Sequence, residues 1–139
     1  MSIKNLVVTV GKNFMLTQTF SGAGYTAAWF LGLVNGASSP TYNAADTMLS
    51  HAGWTEFIAY SNATRPAPVF NASSAGAIAT TPTAFTINGS GTVAGAFLTT
   101  NSTISGTTGT LFSAGNFTGG SRTVASGDTL NVSYTLTLT

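Results

Sequence analysis

Cysteine is absent from this 139-residue chain, which excludes disulfides, zinc–thiolate centres and cysteine nucleophiles. Histidine occurs once, as His51, so a zinc or iron site would lack its commonest ligands. Charge is scarce as well. Four Lys or Arg and three Asp or Glu make up 5% of the residues, against about 25% in ordinary soluble domains. A net charge of +1 supplies no basic field for nucleic acid. Long apolar runs are missing too: nothing approaches the roughly 18 residues of a membrane span, and the opening MSIKNLVVTVGKN holds no leader-type apolar core. The expectation is a soluble single domain over residues 1–139 that begins at its own N-terminus and binds neither membrane nor nucleic acid.

Polarity comes instead from 25 Thr, 15 Ser, 10 Asn and 16 Gly. A nearly neutral surface of this kind lacks mutual repulsion and favours association, which suits an assembly subunit. From Ala75 onward the chain reads as short β segments separated by Gly, Asn and Ser: 83–88, 92–100, 108–115, 121–126 and 129–139. The last is the clearest. Leu130, Val132, Tyr134, Leu136 and Leu138 alternate with Asn131, Ser133, Thr135, Thr137 and Thr139, the pattern of a half-buried strand. Asn88-Gly89-Ser90-Gly91 and Ser126-Gly127-Asp128 are turn signals between antiparallel neighbours.

The first half predicts two strands, 3–10 and 13–20, around Gly11. A buried apolar strand at 27–35 follows and ends at Asn35-Gly36. One short helix is expected over 43–51, capped by Asn43, favoured by Asp46 near its positive end and stopped by Gly53. Residues 65–76 carry two prolines and predict an extended loop. The fold class expected is therefore all-β, an antiparallel β-sandwich of jelly-roll type with one short helix, residues 1–20 forming either an extended arm or edge strands.

Asp46, His51, Glu56 and Arg65 crowd into one stretch, NAADTMLSHAGWTEFIAYSNATR, and make up half of the acidic, basic and histidine side chains. On a helix Asp46 and His51 would lie about 140° apart, so they would not share a face. The sequence offers no local Asp-His pair, and the bland reading is a capped turn whose polar groups are hydrogen-bonded. A calcium site drawing on Asp46, Glu56 or Asp128 is the alternative for the acids; no carboxylate pair for glycoside hydrolysis is placed together. Gly22-Ala23-Gly24-Tyr25-Thr26-Ala27 fits the letter of a dinucleotide-binding turn but lacks the βαβ context that such a site needs. Six Asn-x-Ser/Thr sequons, at Asn62, Asn71, Asn88, Asn101, Asn116 and Asn131, follow from a Ser/Thr-rich composition. Neither a catalytic centre nor a cofactor is expected.

The block AADTMLSHAGWTEFIAYSNATRPA, followed by FTINGSGTVAGAFLTTNSTISGTTGTLFSAGNFTGGSRTVASGDTLNVSYTLTLT, resembles the capsid cement, or decoration, proteins of short-tailed bacteriophages of the Bordetella phage type. The resemblance spans about residues 27–139, and SHAGWTE (50–56) is its specific part. It implies a jelly-roll subunit, often dimeric, on the outside of a shell of major capsid protein, made in the host bacterial cytoplasm and acting in the virion without turning over a substrate. The residues themselves suggest Ile3, Leu6, Val8 and Phe14 as partner-interface contacts of an N-terminal strand or arm, with an ordinary edge strand as the bland reading. Two other functions stay open. One is a tail or fibre component that binds a host glycan in an aromatic cleft around Trp29 and Trp54. The other is a small hydrolase built on Asp46, His51 and Glu56, which would need those three side chains to converge.

Overall fold

The computed structural model describes residues 1, 3–20 and 28–137, with residues 4, 19 and 20 described for their backbone only. It is an antiparallel β fold with one helix. In chain order the elements are β1 (Ile3–Val7), α1 (Thr9–Phe20), β2 (Phe30–Asn35), β3 (Glu56–Phe57), β4 (Ala77–Ala79), β5 (Thr83–Thr86), β6 (Gly91–Thr99), β7 (Leu111–Phe117), β8 (Arg122–Val124), β9 (Thr129–Val132) and β10 (Thr135–Thr137). Six strands form the main sheet, in the order β1-β7-β6-β2-β3 with β8 added alongside β6. The pairs β5-β9 and β4-β10 form two small sheets.

Both faces of the main sheet are covered, and alternation along its strands decides what goes where. Leu31 and Leu33 of β2 and Ala96 and Leu98 of β6 face a large core that also takes Phe85 and Ile87 from the β5 side and Leu130, Val132 and Tyr134 from the C-terminal strands. Val34 and Phe97, one residue out of step, face a smaller core with Val8, Met48, Trp54, Leu111 and Ala114. Burial on both faces explains why β6 reads as a nearly continuous apolar run. Two irregularities tune this pattern. The register shifts between Val34 and Asn35 opposite β6, and between Leu98 and Thr99 opposite β7; the second leaves Phe112 as an extra residue, so that Leu111 and Ala114, three positions apart, share the smaller core while Phe112 faces the larger.

Three sequence expectations change. Residues 13–20 are not a strand: α1 runs from Thr9 to Phe20. The helix packs on β7 because Gly11 lets its backbone lie against Phe112; a Cβ at Gly11 would collide with the Phe112 carbonyl. Gly11 is thus a close-approach glycine inside a helix, where the sequence suggested a break. Residues 43–51, in turn, form turns and no helix. Asn43 and Asp46 use their side chains on nearby backbone N–H groups, an alternative to helical bonding that short polar residues favour. Finally, the expected strand 129–139, whose last two residues lie outside the described ones, is broken at Ser133 and Tyr134: β9 pairs with β5 and β10 with β4. The break turns the buried Tyr134 hydroxyl to the Ser113 hydroxyl, 2.8 Å away.

Strands at 30–35, 83–86, 91–99, 111–117 and 122–124 fall within or close to the segments expected to be β. Residues 65–76 have no strand, only isolated bridges at Phe70 and Ser74. Met1 is tied down by its ammonium on the Asn131 carbonyl at 2.9 Å and by the Ser133 N–H on its own carbonyl at 2.6 Å. The N-terminal segment is therefore an edge strand followed by a helix, closed against the body of its own chain. No helix among the described residues is long and apolar enough to cross a membrane.

Candidate functional site

The charged stretch folds into two adjoining hydrogen-bonded knots against the smaller core. In the first, Asn43 opens a turn: the Ala45 N–H donates to Asn43 Oδ1 at 2.9 Å and the Asn43 N–H to Asp46 Oδ2 at 3.0 Å. The same Asp46 oxygen accepts the Trp54 indole N–H at 3.0 Å. Asp46 is thereby spent on holding Trp54 over Phe97, ring centroids 5.0 Å apart. His51 stacks on the indole at 4.0 Å and 22°. Its Nδ1 lies 3.0 Å from the Trp54 carbonyl oxygen; a carbonyl only accepts, so Nδ1 carries the proton in this bond.

The second knot is centred on Glu56 and Arg65, whose side chains are 8% and 1% exposed. Arg65 Nε donates to Glu56 Oε1 and a terminal nitrogen to Oε2, both at 2.8 Å, the bidentate fork that matches guanidinium to carboxylate. Glu56 Oε2 also accepts the Ser105 N–H at 2.7 Å, and Oε1 the Tyr60 hydroxyl at 3.4 Å. Two further Arg65 N–H groups donate to the Asn101 and Gly106 carbonyls, and its guanidinium lies 5.1 Å from the centre of the Phe97 ring. Every side-chain nitrogen and oxygen of the two ions takes part in a hydrogen bond, the condition under which such a pair is tolerated inside a protein. Together they fasten loop 100–110, where Ser105 holds a φ of 59°. Burial, reinforced by the Glu56 charge, raises the Tyr60 phenol well above its ordinary pKa.

A cleft of about 280 Å³ opens beside the knots, lined by His51, Trp54, Glu56, Ile58, Arg65 and residues 105–107. It brings His51 and Glu56 to one wall but leaves Asp46 out. Asp46 bonds the Trp54 indole, His51 the Trp54 carbonyl and Glu56 the Arg65 guanidinium, so none of the three is hydrogen-bonded to another. Asp128 lies elsewhere, capping the Ser126–Asp128 turn by accepting the Ala125 N–H at 2.8 Å. Among the described residues no group of three or more His, Asp or Glu side chains is placed to hold a metal ion. Nor do the tryptophans share a cleft. Trp54 is 4% exposed in the smaller core, whereas Trp29 packs against the larger one on the opposite face of the main sheet, edge-on to Phe14 and Phe112. Residues 22–27, the dinucleotide-like turn, lie outside the described residues.

Of the residues suggested for a partner interface, Ile3 and Val8 are 5% and 1% exposed and belong to the chain's own cores. Leu6 is exposed, and Phe14 is half-buried on α1 against Trp29. The residues that sequence reasoning passed over are Phe97, Asn101, Ser105 and Gly106, which complete the environment of Arg65 from 32 or more positions away. One signal was available: the chain's single Glu and one of its two Arg residues stand nine positions apart, and unpaired charge is rarely spent inside a charge-poor protein. No family model matches the chain, and no curated protein matches it.

Proposed function

We propose that this chain is a structural virion protein: a cement, or decoration, subunit that binds the outside of a shell of major capsid protein and stabilises it. The observation that carries the reading is how the side chains are allocated. The acidic, basic and imidazole groups of the 43–65 stretch are consumed by internal bonds, while the large apolar side chains left on the described surface are all aliphatic: Leu6, Leu16, Leu49, Ile58 and Val69. Leu49 is 79% exposed and Ile58 54%. Such a surface gains free energy by covering apolar area at about 25 cal/mol per Å², and small contributions multiply over the copies on a shell. The sequence resemblance points the same way and adds a jelly-roll arrangement and a dimer on the capsid exterior. Separation of Trp29 and Trp54 by the main sheet weighs against the glycan-binding alternative.

The test is cosedimentation of the purified protein with shells of the major capsid protein of its phage, scored for stoichiometry and for the temperature of shell disassembly. Saturable binding with a raised disassembly temperature is the expected result. Absence of binding to intact shells would end this reading and transfer the weight to the tail or fibre role, for which a glycan screen is the next experiment.

A further inference from the structure

The chain carries two Asn-Gly pairs, Asn35-Gly36 and Asn88-Gly89, and the fold treats them in opposite ways. In Asn-Gly sequences the backbone nitrogen of the glycine can attack the asparagine side chain, because no Cβ shields it and the backbone reaches the required conformations. The reaction needs that nitrogen free to lose its proton and the side-chain carbonyl carbon free to swing onto it.

At the first pair both requirements are blocked. The Gly36 N–H donates to the Thr92 carbonyl at 2.8 Å, and the Asn35 N–H to the Thr55 carbonyl at 2.9 Å. The Asn35 side-chain oxygen is held by the Ala37 N–H at 2.9 Å, and Asn35 is paired with Val93 in the main sheet. Asn101-Ser102, the next most susceptible type of pair, is locked too: Asn101 donates to Thr108 and accepts from the Thr103 N–H. At Asn88-Gly89 the only anchor is the Asn88 N–H on the Ala59 carbonyl at 3.1 Å. The exposed Asn88 side chain and the Gly89 N–H make no hydrogen bond with the described residues. The pair sits on the bend joining β5 to β6.

We propose that Asn88 is a self-modification site, at which the folded protein converts asparagine to a mixture of aspartate and isoaspartate. The Gly89 backbone nitrogen, after losing its proton to water or hydroxide, bonds to Asn88 Cγ. The Cγ–Nδ2 bond breaks and ammonia leaves, giving a cyclic imide. Water then adds to either imide carbonyl and reopens the ring. The net exchange is ammonia out and water in, with no oxidant or cofactor. The product adds a carboxylate to a chain whose net charge is +1. In the isoaspartyl form it also lengthens the backbone by one carbon beside the Tyr60–Ile87 bridge. An ageing clock is thereby built into the connection between the small β5-β9 sheet and the main sheet.

The experiment is a time course of the purified full chain in mildly alkaline buffer, followed by proteolysis and mass spectrometry of the peptides holding residues 35, 88 and 101. Asn88 is expected to convert at least about tenfold faster than Asn35, since freeing Gly36 means breaking its half-buried backbone hydrogen bond to Thr92. In denaturant the rates at residues 35 and 88 should converge. Asn88→Gln, which changes an exposed side chain without hydrogen bonds, should abolish the acidic species seen by isoelectric focusing. Comparable rates at residues 35 and 88 in the folded state, an unchanged Asn88, or an acidic species persisting in the N88Q variant would each overturn the proposal.

Discussion

Replacing Glu56 by glutamine tests whether the Glu56–Arg65 pair is a structural keystone or a surface ornament. The substitution keeps the shape but removes the charge that neutralises a guanidinium only 1% exposed. It also leaves at most one carbonyl oxygen where two carboxylate oxygens accept from Arg65, Ser105 and Tyr60. Breaking a buried pair by removing one partner costs about 3–5 kcal/mol, because the other charge stays uncompensated. For a domain of this size each kcal/mol moves Tm by roughly 3–4 °C, so a fall of roughly 10–20 °C is expected. Urea unfolding followed through Trp54 fluorescence measures it directly. Arg65→Met should cost a similar amount, and the double variant should recover about 2–3 kcal/mol of the summed loss as coupling. Should Glu56→Gln cost under about 1 kcal/mol, the value of an exposed ion pair, the account of this knot is wrong.

Four other outcomes follow from the same contacts. Tyr134→Phe leaves the buried Ser113 hydroxyl unpartnered and should cost about 1–3 kcal/mol, most of it regained in the Ser113→Ala/Tyr134→Phe double variant; chemical denaturation of the set measures both. Burial raises the phenols of Tyr42, Tyr60 and Tyr134 above their usual pKa. Above about pH 10 the unfolded chain therefore releases protons that the folded chain retains, and stability should fall as pH rises through that range. Phenolate absorbance appearing in step with unfolding is the expected signature, and phenolate forming in a still-folded protein would contradict it. Gly95→Ala drives a Cβ into the Gly115 carbonyl across the β6-β7 pairing, with a loss of about 3 kcal/mol or an insoluble product, read from melting temperature and soluble yield. On the capsid reading, Leu49→Asp or Ile58→Asp should weaken shell binding at least about tenfold if that residue is covered, with an unchanged melting temperature, since both side chains are exposed.

Much of the β architecture could be read from the sequence because its signals are local. Alternation at Leu130 and Val132 and the turn at Ser126-Gly127-Asp128 need only neighbours to act, and β9 forms there. The apolar run at 30–35 becomes a strand buried on both faces. The scarcity of charge and absence of cysteine likewise depend on nothing but composition. What the sequence could not reveal rests on groups distant along the chain. Gly11 sits inside a helix because the Phe112 backbone comes to meet it, and the strand expected at 129–139 breaks because Tyr134 finds Ser113 in the larger core. The stretch from Asn43 to Arg65 shows the division most clearly. Its residue types announced hydrogen-bonded turns, but the helix expected there lost to side-chain bonds with the local backbone. The burial of Arg65 was decided only when Phe97 and the 101–106 loop, far along the chain, closed over its guanidinium. A buried charge needs several partners at once, and only a tertiary fold assembles them.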